Sequence, residues 1–111
     1  MIIKYAVRFL EPAKEFLDNL DDKTREKVLF NIWKSRETND PELFKKISSE
    51  IWEFRTRFKG RQICLFAFWY KRDDKSTLVI ATHGLIKKTQ KTSKKEIERA
   101  EQLHKDFLNI K

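Results

Sequence analysis

The chain has few of the residues that cross-link, interrupt or anchor a protein. Its single cysteine, Cys64, cannot form an internal disulfide, which is typical of a protein in a reducing compartment. Only two glycines and two prolines occur in 111 residues, and no Ser-rich or repeated segment divides them, so we expect one domain over residues 1–111. No apolar run has the length of a membrane span, and the first residues lack a signal-peptide pattern. Both features predict a cytoplasmic protein with no membrane partner.

Familiar catalytic motifs are missing as well. The sequence contains no Gly-rich phosphate loop, no CxxC, no HExxH and no GxSxG. Its two histidines, His83 and His104, fall in different predicted elements, and its acidic residues form no cluster suited to Mg²⁺. We therefore predict no metal site and no cofactor, and nothing in the sequence supports a metal-dependent nuclease.

Positive charge is what the chain has in excess. Lys and Arg number 25 against 17 Asp and Glu, for a net charge of +8, while 40% apolar residues leave enough material for a core. The charge is also uneven, because the ten residues from Ile86 to Lys95 include five lysines and no acid. Such a field attracts nucleic acids or acidic partners.

The pattern of apolar and polar residues predicts a small α+β domain. The predicted order is a strand at 2–10, helices opened by Glu11-Pro12 and by Asp21-Asp22, a short apolar turn at Leu43, Phe44 and Ile47, strands at 51–58, 61–70 and 77–84, and a helix from Ser93. Ser93 followed by Glu96 has the spacing of a capping box.

This β-α-α-β-β-β-α order predicts an antiparallel sheet of three meandering strands with the N-terminal strand at an edge. We expect a helical hairpin on one face of the sheet, followed at the end of the chain by a C-terminal helix. The stretch 61–70 is apolar almost throughout, so it reads as a central strand covered on both faces. Cys64 and the three tryptophans, Trp33, Trp52 and Trp69, are therefore expected in the core.

Arginines of two neighbouring strands form the first candidate site. Arg55 and Arg57 alternate with apolar residues, so they project from one side of their strand. Arg61 begins the next strand across the tight Lys59-Gly60 turn and is expected to lie close to Arg57. Arginine can bind phosphate through two hydrogen bonds and stabilise a phosphorane. The alternative, a solvated face that pairs with Glu53 or with helix acids, is equally open.

Lysines that follow the third strand form the second candidate site. Lys87, Lys88 and Lys91 leave the end of that strand with no nearby acid to neutralise them. Lys94 and Lys95 fall in the first turn of the last helix, where positive charge opposes the macrodipole, although a solvated position is the simpler interpretation.

The strand end also carries His83. A histidine there is either a hydrogen-bonded, partly buried side chain or a group that touches substrate. Because RNA supplies its own nucleophile in the 2′-OH, a metal-free site needs only a base, an acid and charge stabilisation.

Three stretches of the chain resemble the RelE/ParE toxin superfamily. They are WEFR at 52–55, the strand-rich stretch after Arg61, and HGLIKKTQKTSKKEIERAEQL at 83–103. The nearest resemblance is to HigB-like, phage-related toxins of type II toxin–antitoxin systems. Two departures are Ser93, where that branch usually has proline, and the absence of a tyrosine after Tyr70.

The resemblance implies a toxin that cleaves mRNA, typically on the ribosome and without a metal, and that a small helix-turn-helix antitoxin neutralises. It implies catalytic roles for Arg55, Arg61, Lys87, Lys88 and His83. In these roles a lysine or His83 activates the 2′-OH, and the arginines stabilise the phosphorane. It implies RNA binding by Arg57, Lys59, Lys91, Lys94 and Lys95. Two alternatives remain: a ParE-like gyrase inhibitor, and a non-catalytic nucleic-acid-binding module.

Overall fold

A computed structural model describes residues 5–72, 75–87 and 92–110 of the chain. The strands are β1 (Ala6–Phe9), β2 (Phe44–Lys46), β3 (Trp52–Phe58), β4 (Arg61–Arg72) and β5 (Lys75–Lys87). The helices are α1 (Glu11–Asp18), α2 (Asp22–Ser35) and α3 (Lys94–Ile110).

One five-stranded sheet organises the molecule, in the order β1-β5-β4-β3-β2. Strands β3, β4 and β5 form the predicted antiparallel meander, and β1 pairs in parallel with β5 at one edge. This mixed α+β architecture confirms the predicted fold class and is consistent with a RelE-like fold.

The strands differ from the prediction at Phe44 and at the end of β5. Phe44, expected in a turn, begins strand β2 and pairs with Phe54, on whose ring it stacks at a centroid distance of 4.3 Å. Strand β5, expected to end near Gly84, continues to Lys87 because Gln62 of the long strand β4 still pairs with Lys87. Both differences arise from strand pairing, which a single segment of sequence does not reveal.

The sheet has two covered faces. On the hairpin face, Leu17 of α1 and Val28 of α2 pack over β-strand residues such as Leu65. On the second face, Ala100 and Phe107 of α3 pack over Ile51, Phe68 and Ile80. Residues 63–68 of β4 are at most 1% exposed, which confirms the prediction of a central strand covered on both sides. Cys64 lies in this stretch, as expected.

Helix ends follow the predicted caps in part. Pro12 lies in the first turn of α1, and Asp21 caps α2 by accepting hydrogen bonds from the N–H (3.2 Å) and Oγ1 (2.7 Å) of Thr24. At α3, the Ser93 hydroxyl accepts from the Glu96 N–H, but the Glu96 carboxylate does not return to Ser93. It reaches His83 instead.

The outer surface of α2 differs from the prediction. Trp33, expected in the core, is 47% exposed, and its neighbours Leu29 and Phe30 are 39% and 52% exposed. The reason is geometric, since α2 turns Val28 and Ile32 to the sheet and these three side chains lie on the far side. Trp52 and Trp69 are partly buried and pack edge to face with each other.

Candidate nucleic-acid interface

The second face of the sheet carries a cluster of polar side chains beyond the part that α3 covers. We call this cluster the polar half; it consists of Glu53, Arg55, Arg57, Gln62 and Lys87. Its position follows from the register, in which Arg57, Gln62 and Lys87 form one row across three strands.

The structure brings two predicted arginines together in the polar half. Arg55 and Arg57 both line a cleft of about 280 Å³, together with Gln62 and Glu42. Thr56, between them in sequence, accepts a hydrogen bond from Asn31 of α2 and so faces the hairpin. Arg57 is exposed, and within the described residues its side chain makes no ion pair or hydrogen bond. No described residue therefore competes with an anion for its guanidinium.

Arg61 lies on the opposite face, so the expected proximity to Arg57 is wrong. The Lys59-Gly60 loop has positive φ at both residues (52° and 72°), as in a two-residue hairpin turn. That turn pairs Phe58 with Arg61 and Arg57 with Gln62, and alternation then sends Arg57 and Arg61 to different faces.

Arg61 and Lys59 instead surround the cap of α2. Arg61 Nη2 donates to Thr24 Oγ1 at 3.1 Å and lies 3.5 Å from Asp21 Oδ1. Lys59 Nζ lies 4.0 Å from Asp21 Oδ2. The hydrogen bonds from Thr24, and to a lesser degree the charge of Lys59, lower the pKa of Asp21. This group of Asp21, Thr24, Lys59 and Arg61 is called the cap site below.

Lys87 is buried and paired, contrary to the expectation that no acid neutralises it. Its side chain is 4% exposed, and Nζ lies 3.0 and 3.1 Å from the two carboxylate oxygens of Glu53. The predicted residues Lys88 and Lys91 lie outside the described part of the chain.

Glu53 is the centre of the polar half, and sequence reasoning gave it only a pairing role on a solvated face. Its side chain is 2% exposed. Besides Lys87 it binds Thr92, whose Oγ1 donates to Oε2 at 2.8 Å, and Arg55, whose Nε lies 3.3 Å from Oε1. A signal was present: Glu53 points to a face that the apolar strand 61–70 predicts to be covered. This group of Glu53, Lys87, Thr92 and Arg55 is called the Glu53 site below.

His83 is the buried, hydrogen-bonded side chain of the two alternatives. It is 1% exposed, stacks on Phe66 at 4.8 Å, and makes hydrogen bonds through Nδ1 to Thr82 (3.1 Å) and Nε2 to Glu96 (3.0 Å). Burial lowers its pKa, against the opposing effect of Glu96. The ring is not among the residues that line the cleft. Its contact with Glu96 anchors the first turn of α3 to the sheet.

A family comparison covers most of the chain. The family described as Phage derived protein Gp49-like (DUF891) matches residues 15–105, which include the second half of α1, the whole polar half and most of α3. The chain belongs to this family. Gp49-like proteins are a known toxin family of the RelE/ParE-like type, so the chain is a toxin-like protein. No curated protein matches at a significant level of similarity.

The remaining predicted cations of this Gp49-like chain are at its surface. Lys94 and Lys95 are exposed in the first turn of α3, where the structure shows no ion pair for either within the described residues. Both come directly before Glu96, whose carboxylate binds His83. They lie one turn from Thr92, which contacts the Glu53 carboxylate.

The described part of the chain has neither a cluster of metal ligands nor a helix suited to a membrane. Residues 5–72, 75–87 and 92–110 contain no group of three or more His, Cys, Asp or Glu side chains placed to hold a metal ion. None of the helices described above is long and apolar enough to cross a bilayer. What the polar half offers chemically is arginine charge beside a cleft, with one carboxylate, Glu42, lining it.

Proposed function

We propose that the protein is a HigB-like toxin that cleaves mRNA on the ribosome without a metal and thereby arrests translation and growth. The observation that supports this most directly is the pairing of Arg55 and Arg57 along one cleft of a chain from a RelE/ParE-like toxin family. Two neighbouring guanidinium groups, one of them with no ion pair to any described residue, are suited to the non-bridging oxygens of a phosphodiester.

The chemistry uses the nucleophile that RNA carries. The 2′-oxygen attacks the adjacent phosphorus, the bond from phosphorus to the 5′-oxygen breaks, and a 2′,3′-cyclic phosphate and a 5′-hydroxyl result. Arg55 and Arg57 stabilise the extra negative charge of the phosphorane, which is where fixed cations contribute most to the rate. Glu42 is the carboxylate that lines the cleft and accepts the 2′-OH proton in this scheme. The ammonium group of Lys88 or Lys91 is the proposed donor of the proton that the leaving 5′-oxygen takes up to become the 5′-hydroxyl.

Arg57→Ala and Arg61→Ala form a matched pair for the test. Arg57 lines the cleft and is exposed, whereas Arg61 is held at the cap site on the other face. Induced expression followed by primer extension on cellular mRNA should show in-frame cuts within codons for the unchanged protein. We expect Arg57→Ala to lower cleavage about 100-fold, as for loss of one transition-state donor. Arg61→Ala should keep most of it.

An equal loss of cleavage in both variants would contradict the placement of the RNA site at the polar half. Absence of cuts in the unchanged protein would contradict RNA cleavage itself. Circular dichroism of both variants is the control for folding. It matters because Arg61 also contacts the N-terminus of α2.

One observation favours a second candidate, a ParE-like toxin or another binding module that cuts no RNA. His83 and Lys87, both expected to act in catalysis, are buried and bound to acids. Order of events separates the candidates, since translation stops first under RNA cleavage, whereas DNA-damage signalling comes first under gyrase inhibition.

A small helix-turn-helix antitoxin is the proposed partner. The exposed apolar side chains Leu29, Phe30 and Trp33 on α2 support docking on the helical hairpin, away from the polar half. Trp33→Asp should then abolish rescue by the antitoxin while growth arrest persists. Continued rescue would place the contact elsewhere.

A further inference from the structure

Glu53 holds an unusual position for a carboxylate. It lies in β3, on the second face, with its side chain 2% exposed. A buried carboxylate is costly unless charges and hydrogen bonds compensate it. Here the compensation comes from three separate parts of the chain: Lys87 at the end of β5, Thr92 just before α3, and Arg55 two residues along β3.

Two of these partners flank the same segment. Lys87 is the last described residue before residues 88–91, and Thr92 is the first after them. Lys87 Nζ contacts both Glu53 oxygens, and Thr92 Oγ1 donates to Oε2 at 2.8 Å. One carboxylate therefore fixes the points at which the chain leaves the sheet and returns toward α3.

The third partner connects Glu53 to the cleft. Arg55 Nε is buried and lies 3.3 Å from Glu53 Oε1, which is close enough for an ion pair, although its direction does not satisfy a hydrogen bond. The Arg55 side chain as a whole keeps 25% exposure and lines the cleft. Glu53 thus holds the inner end of a guanidinium whose side chain extends to the proposed RNA.

Cys64 lies next to this group on the neighbouring strand β4. Cys64 pairs with Arg55 across the strands, and burial raises the pKa of its thiol to about 12, with the negative charge of Glu53 as the next cause. Cys64 therefore stays protonated and takes no part as a nucleophile.

We propose that Glu53 is a positioning residue, whose buried carboxylate orients Arg55 toward the phosphate of bound RNA while it ties Lys87 and Thr92 together. The inference rests on the proposed function, because the role of Arg55 there is to stabilise the phosphorane. Glu53 does not itself touch RNA, since its neighbours enclose it. Its effect on the reaction runs through Arg55.

A double-mutant cycle tests this route. We expect Glu53→Gln to lower kcat for RNA cleavage about 10- to 100-fold with little change in KM, as for a misplaced catalytic group. In a chain that already carries Arg55→Ala, Glu53→Gln should have almost no further effect, because the group that it positions is gone. Losses that multiply in the double variant would overturn the proposal.

Glu53→Gln leaves Lys87 buried without its counter-ion, so the variant could fail to fold. In that case Glu53→Gln/Lys87→Met carries the test, with Lys87→Met alone as the reference and Arg55→Ala added to each. A purely structural Glu53 predicts the same relative loss with and without Arg55, whereas positioning predicts loss only when Arg55 is present.

Thr92→Val adds a milder probe, since it removes one hydrogen bond to Glu53 and no charge. A loss of several-fold that also depends on Arg55 is expected. If the unchanged protein cleaves no RNA, the proposed function fails. The same cycle measured as affinity for single-stranded RNA then decides whether Glu53 acts through Arg55, and additive losses of affinity would overturn that as well.

Discussion

Two ionic groups of this protein have the same composition and opposite surroundings. The cap site and the Glu53 site each consist of one carboxylate, one threonine, one lysine and one arginine. The side chain of Asp21 is 54% exposed, whereas that of Glu53 is 2% exposed. The lysine of each group is about as exposed as its carboxylate: the side chain of Lys59 is 54% exposed and that of Lys87 is 4% exposed.

Burial decides what each group does. At the cap site, water competes for every charge, so the contacts of Asp21 with Lys59 and Arg61 are worth little beyond the cap itself. At the Glu53 site, neither Glu53 nor Lys87 has water as an alternative partner. Removal of one charge therefore leaves the other buried without this counter-ion. The same four residue types therefore end a helix in one place and fix the geometry of a proposed site in the other.

The largest expected effect is that of Lys87→Met. It leaves the Glu53 carboxylate buried with Thr92 and Arg55 as its partners, and breaking a buried pair in this way costs about 3 kcal/mol of unfolding free energy, the low end of the usual range because Arg55 remains. Urea denaturation at neutral pH measures the difference.

The control for that prediction is Glu53→Gln in the same chain. Because it removes the stranded charge, the double variant should regain most of the lost stability. A double variant that is less stable than Lys87→Met would show that the pair is not the source of the effect. It would also break the comparison of the two sites.

The next effect concerns pH and the buried His83. Burial lowers its pKa in the folded protein below the ordinary value of 6.5, so the unfolded chain binds more protons near that pH. Stability due to neutral His83 is present above pH 6.5 and is lost as pH falls toward the folded-state pKa. Asp21 behaves differently, because its pKa is lowered from 3.8 and its contribution is lost only in stronger acid.

Denaturation curves between pH 7.5 and pH 5 should therefore show a smaller decline for His83→Gln than for the unchanged protein. His104 is the matched control, since burial lowers its pKa too and its ring stacks on Phe68. His104→Gln should remove a separate part of the decline. An unchanged decline in His83→Gln would mean that His83 is not the group that titrates.

Much of the fold could be predicted because its signals are local. The cap at Asp21, the proline at the start of α1 and the apolar run of β4 each act within a few residues. Strand β2 was not predicted because Phe44 becomes a strand residue only through its pairing with Phe54. Trp33 was wrongly expected in the core because the apolar pattern of α2 does not show which of its apolar residues the sheet covers.

The candidate site was harder to predict because it depends on register. Arg57 and Arg61 lie close in sequence, yet a two-residue turn sends them to opposite faces. Lys87 pairs with Glu53, which lies 34 positions away in sequence. The run of lysines therefore indicated positive charge but not the acid that neutralises Lys87. Arg55 and Arg57 were recognised correctly as neighbours, since alternation along one strand is a local rule.

The smallest effects are expected at the cap site. Asp21→Ala removes the two hydrogen bonds from Thr24 and the partner of Arg61, so it should lower stability by the cost of one helix cap, several-fold less than Lys87→Met. Lys59→Met, at 4.0 Å and half exposed, should change stability by no measurable amount. RNA cleavage should be unaffected in both variants, because the site lies on the other face.

Urea denaturation of these two variants beside Lys87→Met provides the measurement. If Asp21→Ala costs as much as Lys87→Met, burial is not what separates the two groups. If Lys59→Met lowers cleavage as strongly as Arg57→Ala, RNA also contacts the turn between β3 and β4.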